Sequence, residues 1–139
     1  MTTVEPLLDP ADTVRAFIAA LEDRAVDQAL LHVDDRIVWR NTSLPTVRGR
    51  VVKWLLRGLN RERFGFRADF HHVAADGAIV LTERTDYLRF GSFEIDFWVC
   101  GTFEVSDGRI TLWHDHFSWG NVLFGVVRGI GRALYAAVV

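Results

Sequence analysis

Between residues 66 and 118 the chain alternates apolar and polar side chains with period two, and three short breaks cut that stretch into four runs. The breaks are Asp76-Gly77, Gly91 and Ser106-Asp107-Gly108. Connections this short force consecutive strands to pair antiparallel, because a parallel return needs a crossover of a dozen or more residues. The expected strands cover residues 66–75, 78–88, 93–105 and 109–118. Such a meander buries one face, and the rest of the chain must supply the cover.

The first part of the chain reads as that cover. Asp9-Pro10-Ala11-Asp12 has helix-start chemistry, with Asp at a cap and Pro tolerated in the first turn. Val14, Phe17, Ile18 and Leu21 then fall at i, i+3, i+4 and i+7, one apolar stripe. A shorter helix over residues 25–32 is expected to pack Leu30 and Leu31. A short strand over residues 37–41 follows the acidic break Asp34-Asp35, with Trp39 and Asn41 on the face of Ile37. After a polar connection containing Pro45, a third helix over residues 50–60 carries Val52, Leu55, Leu56 and Leu59 at helical spacing. Three helices followed by a long curled antiparallel sheet make an α+β fold. Residues 1–139 are read as one domain, with an N-terminal arm over residues 1–8 and an apolar helix over residues 121–139.

That last segment is interrupted by Arg128 and Arg132, each costing roughly 2.5–3.5 kcal/mol at a bilayer centre, which argues against a spanning helix. A helix covering a pocket mouth or a subunit interface is expected, and contact with a membrane surface is the alternative. Gly125 and Gly129 form a GxxxG spacing, a weak signal outside a membrane. The start of the chain has neither a basic flank nor an apolar core, so no secretory signal is expected there. A net charge of −2 gives no general attraction to nucleic acid. A single cysteine, Cys100, excludes an intrachain disulfide and fits a reducing, cytoplasmic setting. Five Trp and ten Phe suit either an aromatic core or a pocket for an apolar ligand.

Chemistry concentrates on two strands. Arg84 and Asp86 are two apart and share a face with Val80, Thr82 and Leu88. Asp115 shares its face with Thr111, Trp113 and Phe117. A lone carboxylate among such residues is costly to bury unless paired. One arginine between two carboxylates leaves one negative charge uncompensated, so one carboxylate is expected to hold a proton near neutrality. That yields either a buried structural network or a general base beside a general acid.

Trp39-Arg40-Asn41 before a polar Pro-containing loop, Arg84-Thr85-Asp86, and the run from Gly101-Thr102-Phe103-Glu104 to Trp113-His114-Asp115 together resemble limonene-1,2-epoxide hydrolases. The resemblance covers residues 9–121 and implies the cone-shaped NTF2-like fold. It implies Asp115 as general base, Asp86 as general acid, Arg84 as the group holding both, and Asn41 as a positioner of the attacking water. Trp39 stands where that family has a tyrosine, which alters the water site. The implied activity is cofactor-independent hydrolysis of a hydrophobic epoxide (terpene, lipid or sterol-like) to a vicinal diol, by a homodimer. Trp39, Trp113, Phe117, Leu88 and Val80 are the expected pocket residues. Two other functions remain open on an NTF2-like cone: a ketosteroid-isomerase or polyketide-cyclase-like enzyme, and a non-catalytic binder of an apolar ligand.

The other polar residues read more plainly. His114 and His116 are two apart on the face opposite Asp115, without a third ligand in sight, so no metal site is assigned. Glu83 and Asp96 fall opposite their apolar neighbours and are expected to be solvated. Cys100 reads as a small buried hydrophobe rather than a nucleophile.

Overall fold

A computed structural model describes residues 8–138, which leaves most of the expected N-terminal arm outside the described residues. The first helix, α1 (Pro10–Glu22), starts where its chemistry demands: the Asp9 carboxylate accepts the Asp12 N–H at 2.9 Å. Val14, Phe17 and Ile18 form its buried stripe. Next come α2 (Val26–Leu30), β1 (Val33–Asn41), β2 (Val47–Arg48) and α3 (Arg50–Leu59). The meander follows as β3 (Phe64–Asp76), β4 (Ile79–Phe90), β5 (Phe93–Ser106) and β6 (Arg109–Phe117), and the described chain closes with α4 (Trp119–Val138). All three hairpins of the meander turn on left-handed backbone, at Gly77 (φ 57°), at Gly91 (φ 64°) and at Asp107-Gly108 (φ 51° and 75°).

The strands make one six-stranded sheet in the order β2-β1-β6-β5-β4-β3. Every neighbouring pair is antiparallel except β1 and β6, which run parallel. The curved sheet folds around α1: Phe17 meets the Trp113 ring edge-on at 5.2 Å, and the core runs on through Val80, Phe103, Val105 and Ile110. Burying this face is the main driving force for the architecture.

Several expectations are corrected. Leu31 is 66% exposed, because α2 is only five residues long and turns a single side over Ala29 and Leu30. The acidic pair Asp34-Asp35 lies inside β1 rather than before it; the pairing with β6 is irregular there, and the Asp34 carboxylate accepts the Arg36 N–H. The polar connection ends in the short strand β2, which pairs with β1 beyond Pro45.

The largest difference concerns α4. It supplies no residue to the cavity described below. Instead β6 stops at Phe117, opposite Val99, and α4 packs on the part of β5 that β6 leaves uncovered. Gly125 and Gly129 let the helix backbone approach the Asp96 and Glu94 carbonyls, where any Cβ would collide. Arg128 and Arg132 donate to those same two carbonyls at 3.1 Å each. Asp96, expected to be solvated, accepts from both arginines at 3.2 and 3.3 Å. The GxxxG spacing is thus a helix-on-strand device in this fold. By length and composition α4 is long and apolar enough to cross a membrane, yet both of its charged side chains are turned onto the sheet.

Candidate active site

The site grows from β4. Arg84 is 1% exposed, and its guanidinium grips Asp86 with two parallel bonds, Nε to Oδ1 at 2.7 Å and Nη2 to Oδ2 at 3.1 Å. The same Nη2 donates to Asp115 Oδ2 at 2.8 Å. Asp115 stands on β6, two strands away, so the guanidinium must cross β5. It crosses at Gly101, which pairs with Thr82 on one side and Asp115 on the other. A Cβ at Gly101 would lie 2.5 Å from Arg84 Nη1 and 2.8 Å from Thr82 Oγ1. Thr82 accepts from Nη1 at 3.2 Å and donates to the Gly101 carbonyl at 3.4 Å, which fixes the third edge of the guanidinium.

Three ionisable groups are therefore held together almost fully buried. Burial opposes the Arg84 charge, but Asp115 and Asp86 outweigh that and hold its pKa above the usual value. For Asp86, burial is the largest influence and pushes the carboxyl up to about 6, against the pull of Arg84 and with help from the Asp115 charge. Asp115 keeps one oxygen, Oδ1, buried without a partner among the described residues. An unpaired oxygen on a buried carboxylate is costly unless something outside the protein is meant to meet it.

The parallel pairing of β1 with β6 sets the flanking residues. Asn41 pairs with Asp115 and Trp39 with Trp113, so each shares a face with its partner. The two indoles stack at 4.5 Å, 12° from parallel, and their Nε1 atoms are both buried without an acceptor among the described residues. Thr42 clamps the end of β1 onto β6, accepting the Phe117 N–H at 3.0 Å and donating to the Asp115 carbonyl at 3.5 Å.

Above the carboxylates opens a cavity of about 340 Å³. Asp86, Asp115 and Asn41 line it among Trp39, Trp113, Leu88, Val99, Phe97 and Phe117. Leu21 and Val26 close one side, Leu56 and Leu59 of α3 another, and Phe64, Phe66 and Phe90 a third. Volume and apolar walls with a few convergent polar groups suit a small-molecule site. Of the expected pocket residues, Trp39, Trp113, Phe117 and Leu88 line this space. Val80 does not: it is 0% exposed within the core, further along β4 than the cavity reaches. On the opposite face, His114 and His116 stack on each other at 3.8 Å. No three His, Cys, Asp or Glu side chains group as metal ligands among the described residues.

A model of the limonene-1,2-epoxide hydrolase catalytic domain matches residues 8–128. The chain belongs to that family. The epoxide hydrolase EphG of Mycobacterium tuberculosis is 44% identical over 118 residues, 84% of this chain and 78% of EphG. The structure of an M. tuberculosis protein described as a limonene-epoxide-hydrolase-like epoxide hydrolase matches with a TM-score of 0.88 at 41% identity, covering 91% of this chain and 96% of that one. An NTF2-like protein from Cytophaga hutchinsonii shares the fold alone, with a TM-score of 0.66 at 16% identity over 83% of this chain and 95% of its own. The expected family and its NTF2-like α+β architecture are both present.

Within this limonene-1,2-epoxide hydrolase family member, much of the apolar wall and several polar supports of the site were not assigned from sequence. Thr42 gave no signal, and the sequence placed Thr82 on the face of Arg84 and Asp86 without a role, since threonine is ordinary in strands. Gly101 did give one: an isolated glycine inside a strand pattern marks a close approach of other atoms. Arg24, on the cavity wall, lies just past an amphipathic helix, where nothing in the local pattern marks an arginine as a pocket residue.

Proposed function

We propose that this epoxide hydrolase adds water to an apolar epoxide in one step, with Asp115 as general base, Asp86 as general acid and Arg84 bridging them. One observation carries the reading: a single buried guanidinium touches both carboxylates, and Asp115, which lines the cavity, has an Oδ1 without a partner among the described residues. Asp115 Oδ1 takes a proton from a water held with the help of the Asn41 amide. The water oxygen forms a bond to one oxirane carbon as the C–O bond on that carbon breaks. The developing alkoxide takes the proton of Asp86, and the product is a vicinal diol. Proton and charge have then moved from Asp86 to Asp115 by way of the substrate, and a proton returning through solvent resets the pair. Arg84 faces one protonated and one ionised carboxyl at each end of the cycle, so its surroundings change little, which lowers reorganisation. Trp39, stacked on Trp113, forms a wall of this site rather than replacing the family tyrosine's hydroxyl.

The substrate class is supported by the walls, which are aromatic and aliphatic except at the floor and at Arg24 and Asn60 on the rim. A hydrophobic terpene, lipid or sterol-like epoxide fits them. The implied homodimer belongs to the same reading, and the apolar outer face of α4, with Leu123, Phe124, Val127 and Leu134 exposed, is a surface it would use. An isomerase or cyclase reading is less well supported, because those reactions have no need of an arginine joining two aspartates. Single-turnover reaction with excess enzyme in ¹⁸O-water tests the chemistry. One labelled oxygen in the first diol formed supports direct attack by water. An unlabelled first diol, with label entering an aspartate, overturns it.

A further inference from the structure

At the rim of the cavity, the end of α1 holds a residue that its backbone does not favour. The Arg24 N–H donates to the Leu21 carbonyl at 3.3 Å and the Ala25 N–H to the Ala20 carbonyl at 2.9 Å, which closes the helix with a left-handed residue. That residue is Arg24, at φ 59°. Helices that end this way place glycine there, since it alone takes the conformation without a steric penalty. An arginine is uncommon in that conformation, and this one borders the cavity. Arg24 lines the cavity with Leu21, Val26, Leu59 and Asn60, and it is the one cation among the lining residues. Its Nη2 donates to the Glu62 carbonyl at 2.8 Å, which anchors the head at the rim. No carboxylate lies within ion-pair distance of it among the described residues.

The cavity is thus polar at both ends, with opposite character. The floor presents two aspartates, and the rim presents an anchored guanidinium with N–H groups to spare. An anionic group on a ligand is repelled from the floor and attracted to the rim, so it fixes which end of an amphipathic molecule enters first. We infer that Arg24 is a specificity-determining residue, receiving the anionic end of an amphipathic epoxide whose oxirane lies at the floor. A long-chain epoxy acid is the simplest member of that class. The inference rests on the hydrolytic reading above and adds a charge requirement to it.

The test compares a long-chain cis-epoxy fatty acid with its primary amide at pH 7.5. The acid is expected to have a kcat/KM about fivefold above the amide, in the range of an exposed ion pair, and the advantage should shrink as salt is added. In R24Q the ratio should fall to about one, in R24K most of it should return, and in R24E it should invert. If Arg24 serves only to hold the Glu62 carbonyl, R24Q lowers both substrates alike and the ratio stays. That result, or a wild-type ratio of one, overturns the inference. Should neither compound be hydrolysed, the hydrolytic reading is tested apart, with a terpene or sterol epoxide. Dissociation constants of a saturated fatty acid and its amide for wild type and R24Q then still decide the role of Arg24, and equal values overturn it.

Discussion

Gly101 is the residue on which the site's geometry turns. Only a hydrogen at that position lets the Arg84 guanidinium pass over β5 to reach Asp115. A methyl group there meets Arg84, Thr82 and Phe103, and the guanidinium yields only by breaking its bonds to the two aspartates. G101A is therefore expected to cost about 1–3 kcal/mol of stability as an overpacked core, measurable by urea unfolding. Its turnover should fall further than stability accounts for, because the aspartates lose their common partner. A variant that keeps full turnover would show that the bridge is not needed. Asp86 makes a second prediction at this scale. Its proton must be present for it to act as the acid, and burial places its pKa at about 6. Raising the pH through that value removes the proton, so kcat/KM of the free enzyme should fall about tenfold per unit above pH 6. A profile flat from pH 5 to 8 would assign the acid elsewhere.

Among the elements, α4 depends on two glycines in opposite senses from a third. Alanine ordinarily improves a helix interior over glycine by about 1 kcal/mol. At Gly131, where nothing lies within 4 Å of the added methyl, G131A should raise the melting temperature by that route. At Gly125 the same change drives a Cβ into the Asp96 carbonyl, so G125A should lower it despite the better propensity. Hydrogen exchange would show the cause, with α4 amides losing protection in G125A and not in G131A. The ion pairs of Asp96 with Arg128 and Arg132 matter less, because both arginines are about half exposed. D96N should cost no more than about 1 kcal/mol.

For the whole molecule, the period-two runs and their glycine turns made the meander legible, and the apolar stripes made α1 and α3 legible. Sequence also placed Arg84, Asp86 and Asp115 on shared faces, because side-chain alternation along a strand is a local rule. The parallel pairing of β1 with β6 was not legible, since it joins the two ends of the fold and no turn specifies it. That pairing sets Asn41 beside Asp115 and Trp39 beside Trp113. Val80 was misplaced for a related reason: sharing a face says nothing about how far along that face the cavity extends. The position of α4 depended on where β6 stops, which alternation alone does not fix. The central relation is the division of labour between the two bridged aspartates, and D86N and D115N probe it most directly. With an epoxide that the wild type hydrolyses, each variant should keep its secondary structure and lose about 10²–10⁴-fold in kcat, with the double variant little worse than either single one. A folded D86N or D115N within tenfold of wild type would contradict it.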